Sequence, residues 1–162
     1  MYLVDSNVLI DAKNRYYAFD IAPGFWNWLE GAHAAGEVCS IEAVQKELVA
    51  GNDELADWAK TNSSFFRAID QATTAHFPAL TSWAASRPFT SAALATFAGN
   101  QADYQLVAYA RAHDHTLVTH ERSDPNSRKR VMIPDACTAM GATCLGPFEM
   151  MRRTGAMLEL RP

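Results

Sequence analysis

Cysteine is scarce in this sequence, and no two cysteines stand at metal-binding spacing. The three that are present, Cys39, Cys137 and Cys144, are widely separated and include no C-x-x-C pair. An odd and scattered set of this kind argues against a disulfide framework and against a compact cysteine-based zinc site. We therefore expect reduced thiols that are mostly buried.

Long apolar runs are also missing. No segment approaches the roughly 20 apolar residues that a membrane-spanning helix needs, and Asp5 interrupts the N-terminus before a signal-peptide core can form. Eight glycines, seven prolines and a 49% share of hydrophobic residues exclude a fibrous or mainly disordered chain. The sequence predicts a cytoplasmic globular protein with one domain over residues 1–162 and no membrane partner.

Positive charge is scarce in most of the chain. The formal net charge is −4, and residues 1–121 hold seven Lys and Arg against fourteen Asp and Glu, whereas residues 122–162 hold seven against four. This balance argues against strong, indiscriminate binding of polyanions but allows a local surface that contacts phosphate. The candidate nucleic-acid-binding residues are Arg122, Arg128, Lys129 and Arg130. Arginine presents a bidentate fork to phosphate, although an ordinary solvated loop also explains the cluster.

Short apolar runs alternate with helical patterns along the chain. Strands are predicted at 2–4, 38–41, 116–119, 131–133 and 143–145, and helices at 25–35, 42–50, 103–113, 134–140 and 147–154. Residues 61–99 are rich in Ala, Ser, Thr and Phe, which predicts several short helices joined by loops. Strands that alternate with helices indicate an α/β fold with a parallel sheet covered on both faces.

Four acidic residues fall where such a sheet presents a ligand site, beyond the carboxyl ends of its strands. Asp5 directly follows the first strand, and Glu121 follows the strand that ends at Val118-Thr119. Glu47 and Asp103 lie beside the apolar stripes of their helices, so we expect both to point inward. Asn7, two residues after Asp5, is expected to orient a carboxylate or a water molecule.

Carboxylates gathered at one rim need compensation for their charge. Burial of an unpaired carboxylate is costly, and a bound divalent cation would compensate it. Ligand sets made only of oxygen select hard ions such as Mg²⁺ or Mn²⁺ over zinc. The corresponding chemistry is metal-assisted hydrolysis of a phosphodiester.

Each acid also has an ordinary interpretation. Asp5 and Asp103 are candidate helix N-caps, which is the commoner use of an isolated Asp at such a position. Glu47 is a candidate border residue of its helix, and Glu121 a candidate loop acid. The joint placement of all four near one rim favours a functional site over these alternatives.

Several segments, taken in order, resemble the PIN domain. They are residues 1–10 with Asp5-Ser6-Asn7, the later Glu47, the helix that begins at Asp103, and 117–121 with its V-T-x-acid pattern. The resemblance extends from Asp5 to about Leu145. It implies a three-layer α/β/α sandwich with a central, mostly parallel sheet and a ribonuclease site that depends on Mg²⁺ or Mn²⁺. Residues 133–137 and 147–152 look like a less-studied PIN-like branch.

The resemblance also implies residue roles. Asp5, Glu47 and Asp103 would be the core metal ligands, Glu121 would occupy the fourth acidic position, and Asn7 would assist as a polar residue. The fourth position is usually Asp in the family, and Glu121 is one methylene longer, which departs from the pattern.

Many PIN domains are toxins of bacterial toxin–antitoxin pairs. The resemblance therefore implies a divalent-metal-dependent endoribonuclease that hydrolyses RNA and acts as the toxin of a type II pair. It also implies RNA, an antitoxin protein and a second copy of the chain as partners. Two other functions stay open at this point: a non-catalytic PIN-like binding or regulatory module, and a DNA nuclease or phosphatase that uses the same acids.

Overall fold

A five-stranded sheet, parallel throughout, lies at the centre of the protein. The computed structural model describes residues 1–99 and 101–159. The strands are β1 (Tyr2–Val4), β2 (Val38–Ile41), β3 (Phe66–Arg67), β4 (Thr116–Val118) and β5 (Cys144–Leu145). Their order across the sheet is β3-β2-β1-β4-β5, and each neighbouring pair is parallel. This α/β architecture confirms the predicted fold class and is consistent with a PIN-like fold.

Helices flank the sheet. They are α1 (Ser6–Asp11), α2 (Pro23–Ala34), α3 (Glu42–Ala50), α4 (Glu54–Thr61), α5 (Gln71–Thr74), α6 (Phe77–Ser86), α7 (Ser91–Gly99), α8 (Gln101–Ala112), α9 (Ile133–Met140) and α10 (Pro147–Arg153). A π-helical turn at Ala12–Tyr16 extends α1, and a 3₁₀ turn at Ser63–Phe65 precedes β3.

Local sequence signals set several helix ends. The Asp53 carboxylate accepts hydrogen bonds from the backbone N–H groups of Leu55 and Ala56, so it caps α4 as a short acidic side chain at this position commonly does. Gly141 ends α9 in the left-handed conformation, with φ of 68°, which glycine adopts without steric cost.

The core is centred on the middle strands. Every residue of β2 is buried, as are Leu3 and Val4 of β1 and Leu117 and Val118 of β4. Central strands of a parallel sheet are covered on both faces, which explains why they are almost continuously apolar.

One strand prediction was wrong, and one strand was missed. Residues 131–133 do not form a strand, because Ile133 begins α9 and its N–H donates to the Glu121 carboxylate instead of to a neighbouring strand. Pro134 also stands in the first turn of α9, where proline is favoured. The sequence missed β3, since two residues are too few for a periodic signal.

The sparse residue types behave as expected. Cys39 and Cys137 are buried, Cys144 is half-buried, and all three are free thiols. Within residues 1–99 and 101–159, no helix is long and apolar enough to cross a membrane. The single domain over 1–162 and the cytoplasmic location stay predictions.

Candidate active site

The candidate site lies where the strand order reverses. From β1 the chain continues outward through β2 and β3, whereas β4 leads to β5 on the other side. The carboxyl ends of β1 and β4 therefore border the crevice in which open α/β sheets bind ligands. Asp5 is fixed there because its backbone N–H donates to the Val118 carbonyl oxygen over 3.0 Å.

The Asp5 carboxylate is buried, with 2% of the residue exposed. Its Oδ2 accepts hydrogen bonds from Asn7 Nδ2 at 2.5 Å and from Thr119 Oγ1 at 2.8 Å. Its Oδ1 lies 3.4 Å from Ser6 Oγ, which is long for a hydroxyl hydrogen bond. The Ser6 backbone N–H also hydrogen-bonds to the carboxylate, and Oδ1 has the longest of the side-chain contacts.

Asn7 fastens the end of β1 to the end of β4. Its Nδ2 donates to Thr119 Oγ1 at 2.9 Å as well as to Asp5, and its Oδ1 accepts from the backbone N–H of His120 at 3.1 Å. Both ends of the amide are used, so Asn7 orients the carboxylate and the following turn together. Thr119 is a site residue whose role the sequence missed, although it belongs to the V-T-x-acid pattern.

The N-cap interpretation is right for Asp5 in position only and wrong for Asp103. Asp5 stands at the N-cap position of α1 but makes no side-chain cap hydrogen bond. Asp103 is the third residue of α8 and lies inside the helix. Neither carboxylate is used to end a helix, so both are available to a site.

Both aspartates hold their protons unusually strongly. Burial raises the pKa of Asp5 to about 6, with the charges of Glu121 and Glu47 adding to the rise and the hydrogen bond from Thr119 opposing it. Burial also raises the pKa of Asp103 to about 7; the charges of Asp5, Glu121 and Glu47 reinforce this rise, and that of Arg130 counteracts it. The predicted acids therefore act on one another electrostatically.

The two glutamates have different surroundings from the aspartates. Glu47 is exposed, so the prediction that it points inward was wrong, although its charge acts on both aspartates. Glu121 has a 7% exposed side chain that forms an ion pair with Arg130 Nη2 through Oε1. Its Oε2 accepts from the backbone N–H of Ile133 at 2.8 Å. Both of its carboxylate oxygens are already engaged.

The donor set suits a hard divalent cation. The oxygen-only character of the four acids matches Mg²⁺ or Mn²⁺ better than zinc, and the raised pKa values of Asp5 and Asp103 mark negative charge that a cation would neutralise. As placed, no three His, Cys, Asp or Glu side chains within residues 1–99 and 101–159 are close enough to hold a metal ion.

The basic residues lie on the β4–α9 loop, which comprises residues 119–132. Arg122, Arg128, Lys129 and Arg130 are all exposed. The loop is held at two points. Thr90 N–H donates to the Arg128 carbonyl at 2.8 Å, and the Asp135 carboxylate accepts from Ser123 Oγ and Asp124 N–H. Asp135 therefore anchors the β4–α9 loop to the first turn of α9.

A groove of about 310 Å³ lies between this loop and Asp103. Lys129 and Arg130 line it together with Asp103 and with residues of α7 that include Thr96 and Phe97. No sequence signal points to the two α7 residues, since they lie in the Ala-rich segment 61–99, in which the order of the short helices was not predicted.

No curated protein matches the sequence of this chain. One similar solved chain belongs to the crystal structure of VapBC2 from Rickettsia felis bound to a DNA fragment from their promoter. The TM-score is 0.54 at 15% identity, over 90% of this chain and 97% of that one, and this likeness concerns the fold alone. Residues 2–158 match the model of the family described as "Domain of unknown function (DUF4411)". The chain therefore belongs to the DUF4411 family.

Proposed function

We propose that this protein is a divalent-metal-dependent endoribonuclease of PIN-like type that hydrolyses RNA phosphodiesters. The observation that carries the proposal is the pair Asp5 and Asp103, two carboxyls with raised pKa values. Asp5 directly follows β1, where the strand order reverses, and its charge contributes to the raised pKa of Asp103. Such perturbed acids in a crevice are typical of functional sites. Oxygen-only ligands favour Mg²⁺ or Mn²⁺ as the cofactor.

Asp5, Asp103 and Glu47 would hold the cation, with Glu121 at the fourth acidic position. When bound, the metal would lower the pKa of an attacking water and stabilise charge on the phosphoryl group. Asn7 and Thr119 keep Asp5 Oδ2 in a fixed direction through their two hydrogen bonds. Metal binding requires deprotonated carboxyls, so it would release the protons that Asp5 and Asp103 retain.

Arg122, Arg128, Lys129 and Arg130 would contact the phosphates of the RNA. Their exposure on the β4–α9 loop supports this role, since phosphate contacts position a nucleic acid and are made largely by Arg and Lys. RNA as the substrate, in preference to DNA or a small phosphate ester, rests on the resemblance to PIN domains.

A toxin role with a cognate antitoxin is the biological form of this proposal. It is supported by the PIN resemblance and by the fold similarity to a chain of VapBC2. Copurification of the chain with the product of an adjacent gene, and rescue of growth by that product, would test it. A homodimer is the other expected assembly, and the mass in solution would test that.

The proposal is tested by metal binding and cleavage in parallel. Asp5→Asn and Asp103→Asn should abolish Mn²⁺ binding in calorimetry and Mn²⁺-dependent cleavage of single-stranded RNA, with unchanged circular dichroism. Asp57→Asn is the matched control, because Asp57 has a 79% exposed side chain that pairs with Lys60 on the surface of α4. Full activity in both site variants would overturn the assignment.

Substrate comparison separates the remaining alternatives. RNA, single-stranded DNA, duplex DNA and p-nitrophenyl phosphate should be compared at equal phosphate concentration. Cleavage of DNA alone, or of the small ester alone, would replace the ribonuclease proposal by a DNA nuclease or a phosphatase. Wild-type protein that binds no Mn²⁺ and shows no metal-induced rise in melting temperature would indicate a non-catalytic module.

A further inference from the structure

Glu121 is built into the fold differently from the other acids. Its carboxylate joins Arg130 on the β4–α9 loop to the backbone N–H of Ile133 at the start of α9. Its own N–H donates to Thr119 Oγ1 at 3.1 Å, and the same hydroxyl donates to Asp5. A continuous path of hydrogen bonds therefore runs from Asp5 through Thr119 and Glu121 to Arg130.

Side-chain length explains why a glutamate stands here. Both Glu121 oxygens already have partners within the protein in the absence of a ligand. A side chain one methylene shorter would fall short of one of these partners by about 1.5 Å, the length of a single carbon–carbon bond. The departure from the usual Asp thus fits a residue that holds the loop.

Arg130 is the group that Glu121 holds in place. Its side chain is 61% exposed, and the Nη2 that pairs with Glu121 is one of several donors on the guanidinium, which has five N–H groups. Its charge acts on Asp103, although its ion pair is with Glu121. The remaining N–H groups are left for a ligand in the groove that Arg130 and Lys129 share with Asp103.

The lining of this groove suits a phosphodiester flanked by an unpaired nucleotide. Lys129, Arg130 and Asp103 line it, and the Arg130 charge acts on Asp103, while buried Phe97 and exposed Thr96 of α7 provide a mixed apolar and hydroxyl wall. Asp103 repels a phosphate unless its own charge is compensated, so we expect binding in the groove to strengthen when a divalent cation is present.

We propose that this groove binds the phosphodiester next to the one that is cleaved, and that Glu121 acts as a positioning residue for Arg130 and not as a metal ligand. The proposal rests on the proposed function, because it places the neighbouring phosphate of the same single-stranded RNA. It assigns Arg130 and Lys129, out of the four basic candidates, to the contact nearest the acids.

The test compares metal affinity with oligonucleotide affinity. The variants are Arg130→Ala, Glu121→Ala, Glu121→Gln and the double variant, and the probe is a labelled single-stranded 10-mer RNA with hydrolysis-resistant linkages, followed by anisotropy in Mn²⁺. We expect Arg130→Ala and Glu121→Ala each to weaken oligonucleotide binding about tenfold, the loss of one charge-assisted contact. Mn²⁺ affinity in calorimetry should stay within about twofold of wild type.

Non-additive losses of oligonucleotide affinity would identify Glu121 as a positioning residue for Arg130. If Glu121 acts through Arg130, the double variant binds the oligonucleotide no more weakly than Arg130→Ala alone. The salt slope of binding should fall by about one for Arg130→Ala. Glu121→Gln keeps an oxygen and an amide at the position, and should fall between wild type and Glu121→Ala. Arg111→Ala is the control, since this exposed residue lies near the opposite end of α8 from Asp103.

Several results would overturn the proposal. One is a loss of Mn²⁺ affinity in Glu121→Ala as large as that in Asp5→Asn, which would make Glu121 a ligand. Another is unchanged oligonucleotide binding in Arg130→Ala, which keeps the hydrogen bond from the Ile133 N–H to Glu121 and does not depend on whether Glu121→Ala folds. Additive losses in the double variant, or a wild-type protein that binds Mn²⁺ but no oligonucleotide, would also reject it. Failure of the proposed function is distinct, because the wild type would then bind no Mn²⁺.

Discussion

The inner acids of the site, Asp5 and Asp103, carry the same charge as the outer acids, Glu47 and Glu121, but lie in different surroundings. Asp5 is buried and Asp103 half-buried, and their pKa values rise to about 6 and about 7. Glu47 is exposed to water, and Glu121 is held by Arg130 and by the N–H of Ile133. Water and protein therefore compensate the outer pair, whereas the inner pair lacks full compensation. A bound cation is stabilised most by carboxylates whose negative charge is not compensated by water or by other protein groups.

The largest expected effect separates the inner from the outer acids in catalysis. Asp5→Asn and Asp103→Asn should each lower metal-dependent cleavage by roughly 100-fold or more, since even residues that only support metal ligands contribute 10- to 100-fold. Glu47→Gln should cost less, because its carboxylate lies in water. Single-turnover rates at saturating Mn²⁺ would measure this. Equal losses in all three variants would remove the distinction between inner and outer acids.

The next effect concerns stability without metal. Folding raises the pKa of Asp5 from 3.8 to about 6, so the folded state binds more protons than the unfolded state between these values. The contribution of Asp5 to stability is therefore highest below about pH 4, falls as the pH rises toward 6, and is constant above. The cost at pH 8 is about 3 kcal/mol, from roughly two pKa units at 1.36 kcal/mol each.

Asp5→Asn removes this cost, so the metal-free variant should be more stable than the wild type at pH 8 by on the order of 3 kcal/mol. The difference should vanish near pH 4, where wild-type Asp5 is protonated. Urea unfolding in EDTA at both pH values would measure it. A variant that is less stable at pH 8 would indicate that Asp5 is already compensated in the metal-free protein.

A smaller effect is expected in the pH dependence of metal affinity. Mn²⁺ must displace the protons of Asp5 and Asp103, so its affinity should rise by up to about tenfold per pH unit below pH 6 for each proton released. The rise should level off above about pH 7.5, beyond both pKa values. Calorimetry in buffers of different ionisation enthalpy would count the protons. A flat profile from pH 5 to 8 would contradict the inner-pair assignment.

The smallest expected effect tests how Asp5 is oriented. Thr119→Val removes the hydroxyl that donates to Asp5 Oδ2 and accepts from the Glu121 N–H, which should cost about 1–2 kcal/mol of stability. Because the Thr119 hydrogen bond lowers the pKa of Asp5, the midpoint of Mn²⁺ binding should move to higher pH. Thr138→Val on α9 is the control, since its exposed hydroxyl bonds a carbonyl of its own helix.

Much of the fold was accessible from local sequence. The apolar runs of β1, β2 and β4 and the helices α3 and α8 follow periodicity, because burial on both faces of a strand or one face of a helix sets the pattern. The N-cap at Asp53 and the glycine end of α9 follow from single residues. The strand β3 and the start of α9 at Ile133 could not be predicted in this way. A two-residue strand has no period, and the apolar run 131–133 is compatible with a strand or with the start of a helix.

The site divides in the same way. Asp5 and Asn7 lie on one turn, so the sequence alone brought them together, and the chemistry of their side chains pointed to a cation. Thr119 reaches Asp5 from 114 residues away, a contact that depends on β1 and β4 being neighbours. The order of the strands in the sheet determines whether this contact forms. Strand order depends on how whole elements pack and not on the residues within any one of them.

The same distinction applies to the outer acids. The sequence determined that Glu47 and Glu121 are acidic and near the ends of buried elements. Only the tertiary structure decided that Glu47 faces water and that Glu121 is paired with Arg130. The physical reason is that local pattern fixes the type of an element and its apolar face, whereas the charge balance around a side chain is set by groups that packing brings from distant parts of the chain.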